Sequence, residues 1–235
     1  MNLFYQEHIN ESISEIIFDK DESRHIAKVL RTKIGNTLHI TNGKGLLFEA
    51  QLESENPKKC IARIQSVSKE APLPYYLHLA VAPTKLNDRY EWFLEKATEI
   101  GVSEITPIIC DHSERKVIKH DRYQKIVVGA MKQSLKMYLP KLNQATSYKE
   151  FINQENKEIK LIAHCEESKK VSLKSFSEKL KNTTILIGPE GDFSTTEIEL
   201  AIKNEYKSIS LGDTRLRTET AAIVACHSVA FANHN

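Results

Sequence analysis

Residues Leu186–Phe193 read LIGPEGDF, and this stretch is the most informative about the fold. It places two glycines around a Pro-Glu pair directly after an apolar run, in a chain that has only 8 glycines in 235 residues. Glycine at such a place permits a positive φ or the close approach of another molecule. The stretch therefore predicts either a tight turn or a ligand-binding loop at the end of a strand.

Strand-like and helix-like runs alternate through the chain beyond residue 75. Strands are predicted at residues 75–82, 105–110, 160–165, 184–188 and 208–211. The alternation predicts a mostly parallel sheet covered by helices, the α/β class. Ser194 with Glu197 predicts a capping box just after the LIGPEGDF stretch, and Asp88 with Glu91 predicts another. LIGPEGDF thus lies at the carboxyl end of a strand, where open α/β sheets bind ligands.

The first 70 residues have a different pattern. They carry short strand-like runs at residues 36–40, 46–52 and 60–67, interrupted by one predicted helix at residues 22–31. Pro72 and Pro74 then mark a linker, because proline interrupts both ladders and helices. We expect a small antiparallel β-barrel in residues 1–70, a fold that often serves as a binding module, and the α/β domain in residues 71–235.

Several classes of protein are not favoured by this sequence. No run approaches the roughly 18 uncharged apolar residues of a membrane helix, and no signal peptide is evident, so we predict a cytoplasmic protein. The four cysteines lie far apart and are expected to be small buried hydrophobes. The nine histidines form no HxxxH or HExxH pair, and no metal site is predicted.

The net charge of +2 hides a basic segment in the middle of the chain. Residues 112–142 hold eight lysines and arginines against two acidic residues. On a continuous helix, Arg122, Lys125, Lys132 and Lys136 are predicted to share one broad face. A solvated surface and a phosphate-binding surface explain this segment equally well.

A second loop follows the last predicted strand, and like the first it lies between a strand and a helix. Residues 211–222 read LGDTRLRTETAA, and the predicted helix at residues 221–232 is apolar on most sides. Two arginines and a glutamate beside a buried helix need partners. An Arg-Glu pair with Thr218 as the helix cap is one explanation, and a ligand is the other. Nucleotide motifs of the GxxxxGK[ST] and GxGxxG types are missing, and the acidic loop suits a cationic or neutral ligand.

LIGPEGDFSTTEIELA (186–201) followed by SISLGDTRLRTETAA (208–222) resembles the RsmE family of small-subunit rRNA uridine-N3 methyltransferases, in the SPOUT superfamily. The resemblance covers the whole chain. HIAKVLR (25–31) is similar to the family's PUA-like module, and EWFLEKATEIGVSEITPIICDHSER (91–115) is similar to its KxxELGVxxIxP segment. The two C-terminal loops, in this order and spacing, are the most specific part of the match.

The resemblance implies a SPOUT-type domain with a parallel sheet and a trefoil knot, preceded by a PUA-like RNA-binding β-barrel. It implies S-adenosylmethionine as cofactor, held by loops at 163–166, 188–191 and 211–216, with the glycines admitting the cofactor. It also implies a homodimer that modifies 16S rRNA in the small ribosomal subunit. The cofactor-binding residues expected on this basis are Ala163, His164, Gly188, Pro189, Glu190, Gly191, Leu211, Gly212, Leu216, Thr218 and Thr220.

Methylation of uridine at N3 sets the expected catalytic roles. The base must be extruded, and negative charge spreads onto O2 and O4 as the N3 proton leaves. Arg217 is expected to stabilise that charge. Glu190 and Glu219 are candidates for the general base, with solvent as the alternative. The residues expected to bind RNA are Arg24, Arg31, Arg115, Arg122, Lys125, Lys132 and Lys136.

The sequence departs from the family pattern in three places. Asp192 stands where the family usually has the last glycine of GPEGG, and Arg215 occupies a commonly apolar position. Lys132 and Lys136 replace the glutamate and arginine of the family's EQxxR. Two other functions remain possible at this point: methylation of a ribose 2'-hydroxyl or another RNA class by a related SPOUT enzyme, and a non-catalytic RNA-binding assembly factor.

Overall fold

The computed structural model describes residues 1–154, 159–167 and 169–233, and of residues 177–179 it describes only the backbone. The described chain forms two compact units. The first unit comprises Met1–Pro72 together with Met131–Leu139. The second comprises Leu73–Ala130 and the chain from Pro140 onward.

The first unit is built on a five-stranded sheet. Its strands are β1 (Leu3–Tyr5), β2 (Glu15–Ile17), β3 (Thr37–Thr41), β4 (Leu46–Ser54) and β5 (Ile61–Lys69). They lie in the order β1-β3-β4-β5-β2, and only the β1–β3 pair is parallel. Side chains along β4 alternate between buried and exposed, which is the pattern of a sheet with one face on a core. Phe4, Phe18, Ile26, Ile40 and Phe48 are among the largest members of that core.

The predicted helix at residues 22–31 is replaced by two shorter segments. The helix α1 (Lys20–Arg24) starts at Asp19, whose carboxylate accepts a hydrogen bond from the amide of Glu22 at 2.8 Å. A π-helical turn follows at His25–Val29. This wider turn buries Ile26 completely and leaves Val29 exposed, so the two residues do not share the buried face that one continuous α-helix would give them.

The second unit is built on an eight-stranded parallel sheet, as the alternating pattern of strands and helices predicted. Its strands are β6 (Tyr76–Val81), β7 (Glu104–Ile109), β8 (Lys141–Leu142), β9 (Thr146–Ser147), β10 (Ile159–Ala163), β11 (Val171–Ser172), β12 (Asn182–Ile187) and β13 (Lys207–Ser210). The order is β11-β13-β10-β12-β6-β7-β8, and β9 also pairs with β7. The strands β13, β10 and β12 are therefore neighbours, although β10 ends at Ala163 and β13 starts only at Lys207.

Helices flank this sheet. They are α2 (Asn87–Ile100), α3 (His120–Gln133), α4 (Tyr148–Ile152), α5 (Thr195–Lys203) and α6 (Thr218–Asn233), with a 3-10 segment at Leu173–Lys179. α2 and α6 pack together. α6 buries Ala222, Ala225, Cys226 and Val229, as its apolar sequence predicted, and exposes Phe231 near its end.

Of the two predicted capping boxes, one is confirmed. Ser194 accepts a hydrogen bond from the amide of Glu197, and the Glu197 carboxylate accepts one from the amide of Ser194, so α5 starts where predicted. The box at Asp88 was wrong, because α2 already begins at Asn87 and has no side-chain cap. Glu91 instead accepts a hydrogen bond from Arg122 at 2.8 Å.

Buried polar residues link β6 and β7 at the amino ends of both strands. Tyr76 donates a short hydrogen bond to Glu104, and Lys141 forms an ion pair with the same carboxylate at 3.0 Å. Burial alone would raise the pKa of Glu104, but these partners hold its pKa below the ordinary value. His78 lies 2.7 Å from Thr106, and its burial lowers its pKa to about 4.

The cysteines do not all follow the prediction. Cys60, Cys110 and Cys226 are buried, but Cys165 is exposed in the loop after β10. Within the described ranges, no helix is long and apolar enough to cross a membrane. The same ranges contain no group of three or more histidine, cysteine or acidic side chains placed to hold a metal ion.

Candidate functional site

Three loops meet at one edge of the parallel sheet in the second unit. They follow the neighbouring strands β10, β12 and β13, and parallel strands bring their carboxyl ends to the same edge. Together they enclose a cavity of about 650 Å³. Of the residues predicted from the sequence, those that line it are Ala163, His164, Gly188, Pro189, Glu190, Leu211, Gly212, Leu216, Arg217 and Thr218.

Some predicted residues lie outside this lining, and others were missed. Gly191, Glu219 and Thr220 do not line the cavity. Cys165, Lys170, Asp192, Arg215 and Ala221 do. The missed residues stand one to six positions from predicted ones, so the loops were located correctly, but sequence alone did not indicate which side chains face inward.

Gly188 and Gly191 serve packing inside the protein. A Cβ at Gly188 would lie 3.0 Å from the ring of Phe193, which is buried in the core beneath the sheet. A Cβ at Gly191 would lie 3.1 Å from the Cβ of His112. Side chains of the same unit therefore already require glycine at both positions, and Gly188 also lines the cavity. That the glycines admit a ligand stays a prediction.

The loop after β13 offers hydrogen-bond donors to the cavity. Among the described residues, the amides of Thr214, Arg215 and Leu216 donate no hydrogen bond to another protein group. Gly212 has a φ of 137° with open space around it, a conformation that only glycine adopts easily. This loop can therefore contact a ligand through its main chain.

Glu190 is held in place by the neighbouring turn. Its Oε1 accepts a hydrogen bond from the amide of Lys85 at 2.9 Å. Arg115 braces that turn, because its guanidinium donates to the carbonyl oxygens of Thr84 at 3.1 Å and Lys85 at 2.8 Å. Lys85 is also paired with Glu114 at 2.7 Å. Arg115, predicted to bind RNA, thus supports the turn that holds Glu190.

Arg217 and Arg215 both reach the cavity from the loop after β13. Each is exposed, and neither guanidinium forms a hydrogen bond or ion pair with any residue that the structure describes. Both are therefore available to an anionic or polar group entering from outside. Because both are exposed and line the same cavity, each is a natural control for the other.

Glu219 faces away from the cavity. It is 7% exposed, and Oε1 lies 3.8 Å from Nε of Arg89, whereas Oε2 has no hydrogen-bond partner among the described residues. An Arg-Glu pair beside a buried helix was one of the two explanations for this loop, and the observed pair uses Arg89 of α2. Glu219 is therefore paired outside the cavity lining and is not placed to take a proton from a group bound there.

His164 forms the floor of the cavity beside β13. Its Nε2 lies 2.9 Å from Oγ of Ser208. Burial lowers the pKa of His164, the nearby Lys170 lowers it further, and Asp192 and Glu166 oppose this in part. The imidazole is therefore neutral near pH 7, and its Nδ1 has no partner within the described part of the chain.

The basic residues predicted to bind RNA in the second unit differ in availability. Arg122 is paired with Glu91, whereas Lys125 is exposed. Arg122, Lys125 and Lys119 line a second, open cavity of about 790 Å³. This surface carries an excess of positive charge over the single carboxylate of Asp121.

The predicted RNA-binding residues of the first unit also differ. Arg24 and Arg31 are exposed, and Arg31 has a left-handed φ of 52° just after the π-helical turn. Lys132 forms an ion pair with Glu22 at 2.6 Å, and its ammonium lies over the ring of Phe4. Lys136 lies outside α3, which ends at Gln133, so the predicted four-residue helix face was wrong. The chain turns at Leu135, which has a φ of 56°.

Comparison with known families gives two matches in chain order. Residues 18–65 match the model of an RNA methyltransferase PUA domain, and residues 69–230 match that of an RNA methyltransferase domain. Ribosomal RNA small subunit methyltransferase E of Buchnera aphidicola is 33% identical, with 91% of this chain and 87% of the relative covered. The protein of the same name from Rickettsia conorii is also 33% identical, over 92% and 89%.

Solved structures agree with these matches. The crystal structure of a "probable rRNA-methyltransferase" from Porphyromonas gingivalis has a TM-score of 0.91 at 37% identity, covering 99% of this chain and 98% of that one. A ribosomal RNA small subunit methyltransferase E from Neisseria gonorrhoeae, solved with bound S-adenosyl methionine, has a TM-score of 0.85 at 25% identity. It covers 96% of this chain and 95% of that one.

Proposed function

Because the chain belongs to the RsmE family of ribosomal RNA methyltransferases, a SPOUT family, we propose that it transfers a methyl group from S-adenosylmethionine to 16S rRNA, at N3 of a uridine. The observation that carries this proposal is the cavity formed by the loops after β10, β12 and β13. The substrate is RNA in the small ribosomal subunit, and the site of action is the cytoplasm.

The residues of the cavity fit S-adenosylmethionine. The cavity volume of about 650 Å³ lies within the range of roughly 300–1,000 Å³ that is typical of small-molecule sites. Leu211, Leu216 and Ile187 provide apolar walls, and the unpaired amides of residues 214–216 provide donors. The carboxylate of Glu190 favours a ligand that carries a positive charge. We propose that the loops at 188–191 and 211–216 hold the adenine and ribose.

The bound cofactor supplies an electrophilic methyl group, and the side chains of this chain prepare the acceptor. The uridine must be unpaired and extruded before its N3 can enter the cavity. Arg217, with its unpaired guanidinium, is the proposed group that stabilises charge on O2 or O4 as the N3 proton leaves. Glu190, held through Oε1, is the remaining carboxylate candidate for the base, with solvent as the alternative.

Two variants test the role of Arg217. Arg217→Ala is expected to reduce the methylation rate by about 10²-fold or more, because an aimed donor is lost in the transition state. Cofactor affinity, measured by calorimetry, is expected to change far less. Arg215→Ala is the matched control, since Arg215 is also exposed and lines the same cavity. A parallel loss of rate and cofactor affinity in Arg217→Ala would make Arg217 a cofactor-organising residue.

The first unit is proposed to dock the RNA. We assign residues 1–70 to a PUA-like RNA-binding module and residues 71–235 to catalysis, apart from the segment Met131–Leu139, which belongs to the first unit. Arg24 and Arg31 are exposed there and are the proposed phosphate contacts. Removing both charges should weaken binding to small-subunit particles and leave cofactor affinity unchanged.

A homodimer is proposed as the active form, and the trefoil knot stays a prediction from the resemblance. Trp92 on α2 is 45% exposed and Phe231 on α6 is 73% exposed, on two helices that pack together. Exposed aromatic side chains of this kind are enriched at interfaces. Light scattering at micromolar concentration should give the dimer mass, and an active monomer would refute the proposal.

A further inference from the structure

Asp192 has a left-handed backbone conformation, which is uncommon for residues other than glycine. Its φ is 63°, in the left-handed region that favours glycine. The residue follows Gly191 at the end of the tight turn closed by a hydrogen bond from the Asp192 amide to the carbonyl of Pro189, at 2.9 Å. Glycine would adopt this conformation without strain, so the side chain of Asp192 needs a separate explanation.

The carboxylate of Asp192 connects two of the three cavity loops. Its Oδ2 accepts a hydrogen bond from the amide of Cys165 at 2.7 Å, in the loop after β10. Its Oδ1 accepts another from the amide of Phe193 at 2.9 Å. Hydrogen bonds to a charged acceptor are shorter and stronger than those between neutral groups. Glycine at this position would leave the Cys165 amide without this acceptor.

The main chain of Asp192 is fixed as well. Nδ1 of His112 lies 3.1 Å from the carbonyl oxygens of both Gly191 and Asp192, so it donates to this turn. The main chain that carries the Asp192 carboxylate is therefore held in place. A weaker contact nearby joins Thr195, the first residue of α5, to Glu166 of the loop after β10 at 3.5 Å.

We propose that Asp192 is a positioning residue that fastens the 163–166 loop to the 188–191 loop and so shapes the cofactor cavity before the cofactor arrives. The inference rests on the proposed function for its consequence, cofactor binding, but the fastening itself is a property of the free protein. It also explains why this chain keeps an aspartate at a left-handed position.

Three variants test the proposal. Asp192→Gly removes the carboxylate and relieves the strain of the left-handed backbone conformation. Asp192→Asn keeps a side-chain oxygen that can accept from Cys165. Glu205→Gly is the matched control, because Glu205 has a φ of 68° and lies outside the cavity lining. Hydrogen exchange of the Cys165 amide is measured in the cofactor-free protein, and S-adenosylmethionine affinity is measured by calorimetry.

In Asp192→Gly, exchange at Cys165 is expected to accelerate about 10-fold or more, and the Kd for S-adenosylmethionine to rise about 10-fold, as for the loss of one charge-assisted hydrogen bond. Asp192→Asn should stay within about 3-fold of wild type in both, and Glu205→Gly should match wild type. Unchanged exchange at Cys165 in Asp192→Gly would overturn the proposal, and so would equal damage in both Asp192 variants. Wild-type protein that binds no S-adenosylmethionine would refute the proposed function, while the exchange result would still decide the fastening.

Discussion

The hydroxyl of Thr218 donates a hydrogen bond to the carbonyl oxygen of Gly188 at 3.0 Å. Thr218 is the first residue of α6, and Gly188 is the first residue after β12, so this bond joins the two glycine-containing loops that the sequence singled out. Both residues line the cavity and are buried. The bond therefore fixes the spacing between two of its walls.

Thr218→Val is expected to destabilise the second unit and weaken cofactor binding. Valine has nearly the same shape but cannot donate, so the buried carbonyl of Gly188 loses its partner at a cost of about 1–3 kcal/mol. Urea unfolding and calorimetry measure the two effects. Thr218→Ser keeps the hydroxyl and should retain cofactor affinity, whereas a Val variant with unchanged affinity would show that this bond does not shape the cavity.

Gly188→Ala is expected to lower stability by about 1–3 kcal/mol, because its Cβ would press on the ring and amide of the buried Phe193. Gly188→Val should lower stability further than Gly188→Ala. The control is Gly129→Ala in α3, where the added Cβ meets nothing within 4 Å. Alanine there should raise stability by about 0.5–1 kcal/mol through helix propensity. Thermal unfolding compares the two variants, and equal or reversed effects would contradict the packing role of Gly188.

Lys125 and Lys132 are expected to respond differently to substitution by glutamine. Lys125→Gln should leave stability unchanged and reduce the slope of log affinity for small-subunit particles against log salt by about 1, as for one phosphate contact. Lys132→Gln leaves the Glu22 carboxylate unpaired and should lower the stability of the first unit. A Lys125 variant with the wild-type slope would make that surface a solvated one.

His78 is expected to make stability depend on acid pH. Its pKa of about 4 in the folded protein lies below the ordinary value of 6.5, so the unfolded chain binds the proton more readily. The contribution of His78 to the free energy of unfolding is fully present above about pH 6.5. It is lost as the pH falls toward 4, which lowers the free energy of unfolding by up to about 3 kcal/mol. His78→Gln should flatten this part of the profile in urea unfolding. His227→Gln, at an exposed histidine, should keep the wild-type profile.

The sequence predicted the parallel sheet and the three loops because apolar periodicity and glycine placement are local signals. The strands at β6, β7, β10, β12 and β13 begin and end within two residues of their predicted bounds. Side-chain partners depend on contacts between distant segments, and these were missed: Phe193 beside Gly188, Glu22 beside Lys132, and Arg89 beside Glu219. The π-helical turn was missed because a run of five residues does not distinguish it from the α-helical period.

Methylation of uridine N3 in 16S rRNA can be tested by nucleoside analysis. Small subunits from cells that lack this protein are incubated with the purified protein and S-adenosylmethionine, and the digested 16S rRNA is examined by mass spectrometry. The account predicts N3-methyluridine that is absent without enzyme and strongly reduced with Arg217→Ala. A 2'-O-methylated nucleotide in its place, or no methylation by a protein that binds the cofactor, would contradict it.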